Sequence, residues 1–369
     1  MSPWLAFIVT LSLIILVHEM GHFFMARAVG VKVERFSLGF GPRLARVTRG
    51  GTEYVLSLFP FGGYVKRAGE LGGEEGRPKR PWEYRARSVG ERMAIVFAGP
   101  FINYGVGFML FFLIFLWGAP VLTATIGEVL KGYPAEAAGL KKGDRILKVN
   151  GKPVDNWEEV TEAIHRQTES VTLDVQRESK VFDLTLAPKV NELSNLFGSR
   201  SRVGMIGITP SGETVTHRYP LLPALGKAAE RVWGLTCLTL QALFRMATGG
   251  LSIKESVTGP IGIFYITSAV AEQGWVSLLQ LIAVLSTSLG LFNLLPMPVL
   301  DGGHLAFLLV ERVKGRPVSI RTQEVMTRVG LGLLLVLLVV VTYNDLIKFK
   351  IADRLFKPVS DTVSTGGVR

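Results

Sequence analysis

The sequence predicts a polytopic α-helical membrane protein. It would have four transmembrane helices, a β-hairpin region associated with the membrane on the cytoplasmic side, and an extracytoplasmic α/β domain. Three observations predict this class. Of 369 residues, 48% are hydrophobic and only 19% are charged, whereas soluble domains carry about 25% charged residues. Four stretches approach the roughly 20 apolar residues that cross a hydrocarbon core. A long polar stretch with alternating patterns separates the second from the third.

The first span runs from Pro3 to Ala28 and holds His18, Glu19, His22 and Arg27. The second, Met93–Trp117, carries no charge. The third, Trp275–Val299, carries no charge and ends in the helix-breaking Pro296 and Pro298, within a segment that runs to residue 310. The fourth, residues 329–343, is short, and Arg328 can snorkel to extend it. Val232–Phe244 is too short to span and reads as an interfacial amphipathic helix inside a linker, residues 189–274. Residues 1–28 have no basic residue ahead of the apolar run, so they read as a retained span rather than a signal peptide.

Charge sets the expected orientation. Residues 29–92 hold 13 Lys/Arg against 7 acids, and residues 311–328 hold 5 against 2. Residues 118–274 hold 17 against 16. The positive-inside rule places the first two loops in the cytoplasm, and the long segment and both termini outside. The net charge of +11 then faces lipid headgroups. No nucleic-acid motif accompanies it, which excludes that class of partner.

Within the long segment, residues 121–188 read as a small folded module. Strands are expected at Ile126–Val129, Arg145–Val149, Val171–Gln176 and Val181–Leu186, and helices near 134–138 and 157–166. Asn150–Gly151 supplies a tight turn. The run from Gly139 through Gly143-Asp-Arg-Ile-Leu-Lys-Val-Asn-Gly151 resembles a PDZ domain in its permuted bacterial form. Such domains take chain ends or strands along a sheet edge, so a peptide or chain end is an expected partner there. Residues 189–217, rich in Gly and Ser, read as irregular linker.

The chemistry starts in the first span, at His18-Glu19-Met20-Gly21-His22. Histidines at i and i+4 share one helix face, about 6 Å apart, and both imidazoles can reach one zinc ion. Glu19, one position round the helix, can accept a proton from an attacking water. Three ionisable groups in an apolar span ask for a functional explanation. With a single cysteine, Cys237, neither a disulfide nor a cysteine metal site can form. A third ligand must therefore be His, Asp or Glu. Asp301 and His304, past the third span, both qualify. His18 lies 15 residues past Pro3, about 22 Å at 1.5 Å per residue, and Asp301 reaches a similar depth once the prolines break the helix.

These residues carry a resemblance over nearly the whole chain. His18-Glu-Met-Gly-His22, Asn293…Pro296…Leu300-Asp301-Gly302 and the PDZ-like segment resemble the site-2 protease family of intramembrane zinc metalloproteases, and within it the RseP-type bacterial enzymes. Phe36-Ser-Leu-Gly-Phe-Gly-Pro42, Phe59-Pro-Phe-Gly-Gly-Tyr-Val-Lys66 and Thr258-Gly-Pro-Ile261 add to it. The resemblance implies that His18, His22 and Asp301 bind Zn2+ and that Glu19 is the general base. Asn293, Pro296 and Gly302 would position substrate, and His304 would not be a ligand. It implies a bacterial inner-membrane protease of the stress response. Its substrates would be single-span proteins, such as trimmed anti-sigma factors and remnant signal peptides. Some members of this type carry two PDZ domains; this chain shows one.

Leu44–Val47 and Tyr54–Leu58 flank Arg49-Gly50-Gly51, a hairpin signal. A strand edge near the site would replace hydrogen bonds that a substrate helix loses on unwinding. Two rivals are weaker. A membrane-tethered protease of soluble proteins would carry the His-Glu motif in a soluble domain. A non-catalytic scaffold would have lost Glu19, a histidine or Asp301, and all are intact.

Overall fold

A computed structural model describes residues 2–70, 80–194, 200–252 and 257–348. The chain divides into two compact units. One comprises residues 1–110, 232–236 and 252–369; the other comprises residues 111–231 and 237–251.

The first unit begins with α1 (Pro3–Ala28), whose N-terminus is capped by Ser2. Two long strands follow, β1 (Val33–Arg49) and β2 (Thr52–Arg67). They turn at Gly50 and Gly51, both with positive φ, as a two-residue hairpin turn requires. The pairing is more than a simple hairpin. Arg43–Arg49 pairs with Thr52–Ser57, while Phe36 is flanked by both Tyr54 and Val65. The first part of β1 thus lies between two segments of β2. The last segment, Gly63–Arg67, has a strand partner on one side only among the described residues. Phe23, Val33, Val65 and Ile95 close a small apolar core between this sheet and the helices.

Helix α2 (Val89–Trp117) contains Pro100. It starts four residues before the expected span because Ser88 and Glu91 form a reciprocal cap, with Glu91 Oε2 2.8 Å from the Ser88 amide. The 275–310 segment is two helices, broken at the prolines as expected. These are α7 (Trp275–Asn293) and α8 (Asp301–Lys314), numbered to follow α3–α6 below. Pro296 and Pro298 cannot continue α7, and the turn between the helices re-aims the chain. The expected 311–328 loop is mostly helical. α8 runs to Lys314 and stops at Gly315 in the left-handed region, φ 69°. Then α9 spans Ile320–Lys348, well beyond residues 329–343 and into the expected tail. α6 (Pro260–Glu272), which sequence reading left inside a linker, packs against α1, α7 and α9. Asp345 of α9 accepts hydrogen bonds from the amides of Gly259 and Gly262, at 3.2 and 2.8 Å, and caps that helix. Among the described residues four helices, α1, α2, α7 and α9, are long and apolar enough to cross a membrane.

The second unit holds the α/β module. β4 (Ile126–Val129), β5 (Arg145–Val149), β7 (Val171–Arg177) and β8 (Lys180–Leu186) occupy the expected strands. α3 (Pro134–Ala137) and α4 (Trp157–His165) occupy the expected helices. A two-residue β6 (Lys152–Pro153) completes a sheet of order β6-β5-β7-β8. Alternation along β7 buries Val171, Leu173 and Val175 fully, against Ile126, Ile146 and Val160. Asn156 caps α4 by accepting from the Glu159 amide at 3.0 Å.

The described residues of 189–217 form strands where irregular linker was expected. β9 (Lys189–Ser194) and β10 (Arg200–Met205) form a hairpin. β11 (Ile208–Pro210) pairs with β4, and β12 (Thr214–His217) pairs with β3 (Ala119–Leu122). The strand pairs extend the module to both sides of residues 121–188. The partners of β11 and β12 lie far back along the chain, Ile208 against Val129 and His217 against Ala119, so local composition could not reveal these two strands. The expected 232–244 helix is part of α5 (Leu221–Ala247), which Pro220 initiates.

Candidate active site

The site is built where α1 crosses α2. Gly21 and Gly99 permit that crossing. A Cβ on Gly21 would meet the Ala98 carbonyl, and one on Gly99 would meet the rings of His22 and His18. Membrane helices approach this closely through small residues. The rings are buried, His18 at 9% exposure and His22 at 7%.

Asp301 is the first residue of α8. Its Oδ2 lies 3.1 Å from His18 Nε2 and 3.4 Å from His22 Nε2, and the two Nε2 atoms are 3.2 Å apart. Three donor atoms thus form a nearly equilateral triangle. Zinc bonds of about 2.0–2.2 Å in a tetrahedron require ligand atoms about 3.3–3.5 Å apart. The triangle matches one face of such a tetrahedron. Asp301 Oδ2 is also buried without a hydrogen bond among the described residues, and such an atom is costly unless something else satisfies it. His22 Nδ1 lies 2.9 Å from the Ile95 carbonyl. Donating its proton there leaves the Nε2 lone pair facing the triangle. The residues fit a zinc ion.

A cavity of about 1200 Å³ opens on this triangle, and Glu19, Asn293 and the Gly63–Arg67 segment of β2 also line it. Glu19 packs over Gly63, where a Cβ would come within 3.0 Å of its Cγ. Arg92 makes a bidentate ion pair with Glu311 on the wall, at 2.6 and 3.1 Å, tying α2 to α8.

Other expected site residues are placed differently. Asn293, the last residue of α7, reaches the cavity. Pro296 is exposed in the connecting turn. Gly302 is packed against the carbonyls of Leu294 and Leu295, where a side chain would clash. His304 lies one turn along α8, on the cavity but outside the cluster of His18, His22 and Asp301. Sequence reading missed Gly99 and Asn103. Their signals were available: a Gly-Pro step and a lone Asn inside an otherwise uncharged span.

The family model described as peptidase family M50 matches residues 6–337. A Campylobacter jejuni protein with the provisional name zinc metalloprotease Cj1068 is 34% identical over 344 residues, covering 93% of each chain. Protease RseP of Yersinia pestis is 31% identical over 443 residues, covering 92% of this chain and 97% of that one. The regulator of sigma-E protease RseP of Escherichia coli is 30% identical with the same coverage. The match runs through α1 with its two histidines, and through Asp301. The chain therefore belongs to peptidase family M50 and is a zinc metalloprotease of the site-2, intramembrane type.

Proposed function

We propose that this enzyme cleaves single-span membrane proteins within or near their transmembrane segments, with His18, His22 and Asp301 as the zinc ligands and Glu19 as the general base. The observation that carries the reading is the triangle of Nε2, Nε2 and Oδ2 atoms, 3.1–3.4 Å on each edge, beside Glu19 on one cavity. Bound zinc supplies Lewis acidity that polarises a carbonyl and brings the pKa of water near 7. Glu19 takes the proton of the attacking water and returns it to the leaving amine. Asn293 holds the substrate backbone. The Gly63–Arg67 edge pairs with the unwound segment and replaces its lost amide bonds.

The site's place on an apolar helix supports a membrane-spanning substrate, and the family resemblance implies anti-sigma-factor-like proteins already trimmed outside, and remnant signal peptides. The α/β module acts as a PDZ domain that takes a chain end or strand. The protein sits in the bacterial inner membrane with both termini outside. Glu19→Gln tests the chemistry. Gln is nearly isosteric but accepts no proton, so cleavage of a model single-span substrate falls about 10²–10⁴-fold while zinc content stays at wild type. Activity within tenfold of wild type overturns the role. Orientation is tested by cysteines at positions 50 and 151 in intact cells. An impermeant reagent labels the second and not the first; the opposite pattern reverses the topology.

A further inference from the structure

An imidazole that ligates through Nε2 must carry its proton on Nδ1, and that proton needs an acceptor. His22 has one in the Ile95 carbonyl. For His18 the group in place is the Asn103 carboxamide, 3.4 Å from Nδ1. Asn103 is fully buried. It stands one helical turn beyond Gly99, the residue whose missing side chain makes room for both rings. Its backbone carbonyl accepts a hydrogen bond from Ser286 Oγ of α7 at 3.0 Å. Three successive turns of α2 thus serve the imidazoles: Ile95, Gly99 and Asn103.

The carboxamide nitrogen faces the ring, and Asn103 Oδ1 is buried with no partner among the described residues. A half-turn about the terminal torsion exchanges two nearly isosteric ends. It brings a lone-pair acceptor to the Nδ1–H that a ligating His18 must carry. An amide hydrogen facing Nδ1 would instead favour the proton on Nε2, the atom that faces His22 and Asp301. The ring's duty to the metal therefore decides which end of the carboxamide serves it.

We propose that Asn103 is a positioning residue of the metal centre, whose Oδ1 accepts from His18 Nδ1–H and holds His18 in the tautomer and ring orientation that ligate zinc. The inference rests on the reading of His18 as a ligand. It goes beyond that reading by assigning a role to a residue that touches neither substrate nor metal.

The test uses the full chain in detergent with three variants. Asn103→Leu keeps the volume and removes the acceptor. Asn103→Asp keeps an acceptor. His18→Ala controls for the ligand reading. Zinc affinity is read by competition with a chelator, and the cobalt-substituted protein is read by its visible absorption spectrum. Loss of the group that hydrogen-bonds a ligating imidazole costs about 10–100-fold in metal affinity. Asn103→Leu is expected to lose that much and to shift the cobalt bands, while Asn103→Asp holds zinc as tightly as wild type or more so. Should the leucine variant not extract as folded protein, Asn103→Ala takes its place with the same expectation. Zinc bound within twofold of wild type by the leucine or alanine variant, while His18→Ala loses it, overturns the role of Asn103 and leaves the ligands standing. Zinc retained by His18→Ala overturns the ligand reading and this inference with it.

Discussion

The α/β module and the metal site are held together by different forces. The module has a contiguous core in which Ile126, Ile146, Leu173 and Val175 are fully buried, and water drives that burial. Around the metal site the helices show large apolar side chains outward, and only 11% of the most apolar stretch of α9 is buried. Lipid offers no hydrophobic reward for packing helix on helix. Close approach at Gly21 and Gly99, the Arg92–Glu311 pair and the Asp345 cap hold the arrangement instead. The module should therefore respond to lost charge pairing and core volume, and the site to added atoms and lost polar partners.

The largest expected effect is at the proposed zinc ligands. Asp301→Ala removes a corner of the triangle and should strip zinc from the purified protein. His304→Ala, one turn along the same helix, should keep it. Metal analysis of the pair decides between them, and zinc lost only from the His304 variant would reverse the assignment.

The next effect tests the role of close approach. Gly99→Val places methyl groups against both imidazoles. Overpacking costs about 1–3 kcal/mol, and here the strain falls on two proposed ligands. Thermal stability should drop, and zinc affinity with it. If zinc affinity is unchanged, the rings do not depend on this crossing.

The smallest effect belongs to the module. Asp144 is almost wholly buried against Arg177, whose guanidinium lies 2.7 Å from each carboxylate oxygen. Burial alone would raise its pKa. The Arg177 hydrogen bonds and the Lys141 amide outweigh this and hold the carboxyl below its ordinary value. A depressed folded-state pKa stabilises above the unfolded value near 4 and is lost as pH falls through the folded one. Arg177 is one-third exposed, so solvent screening limits the effect to about 1 kcal/mol. Asp144→Asn should lower the module's melting temperature at pH 7 and flatten its dependence on acid. Zinc content should not change.

This division also explains what was legible in the sequence. In the module, alternation at Val171–Val175, the Asn150–Gly151 turn and the Asn156 cap mark their own elements, and the structure has them there. Strands β11 and β12 carry no such mark, because their partners β4 and β3 lie far along the chain. At the site, His18-Glu19-x-x-His22 was legible because one helix turn brings the histidines together. The pairing with Asp301 rested on a depth argument and a family resemblance. Gly99 and Asn103 stand out in the second span as a Gly-Pro step and a lone Asn, but the role of each depends on what α1 brings against it. The double engagement of Phe36 by Tyr54 and Val65 likewise depends on segments brought from elsewhere in the chain.

The Asp345 cap has a consequence for biogenesis. A carboxylate on a helix that crosses a membrane is costly without partners, by about 2.5–3.5 kcal/mol at mid-depth. Here the partners are two backbone amides at the start of α6, some eighty residues earlier in the chain. They become available only when that helix has formed and docked. The end of α9 and the start of α6 therefore stabilise each other. A chain stalled or misassembled before that point leaves the Asp345 carboxylate without these two donors.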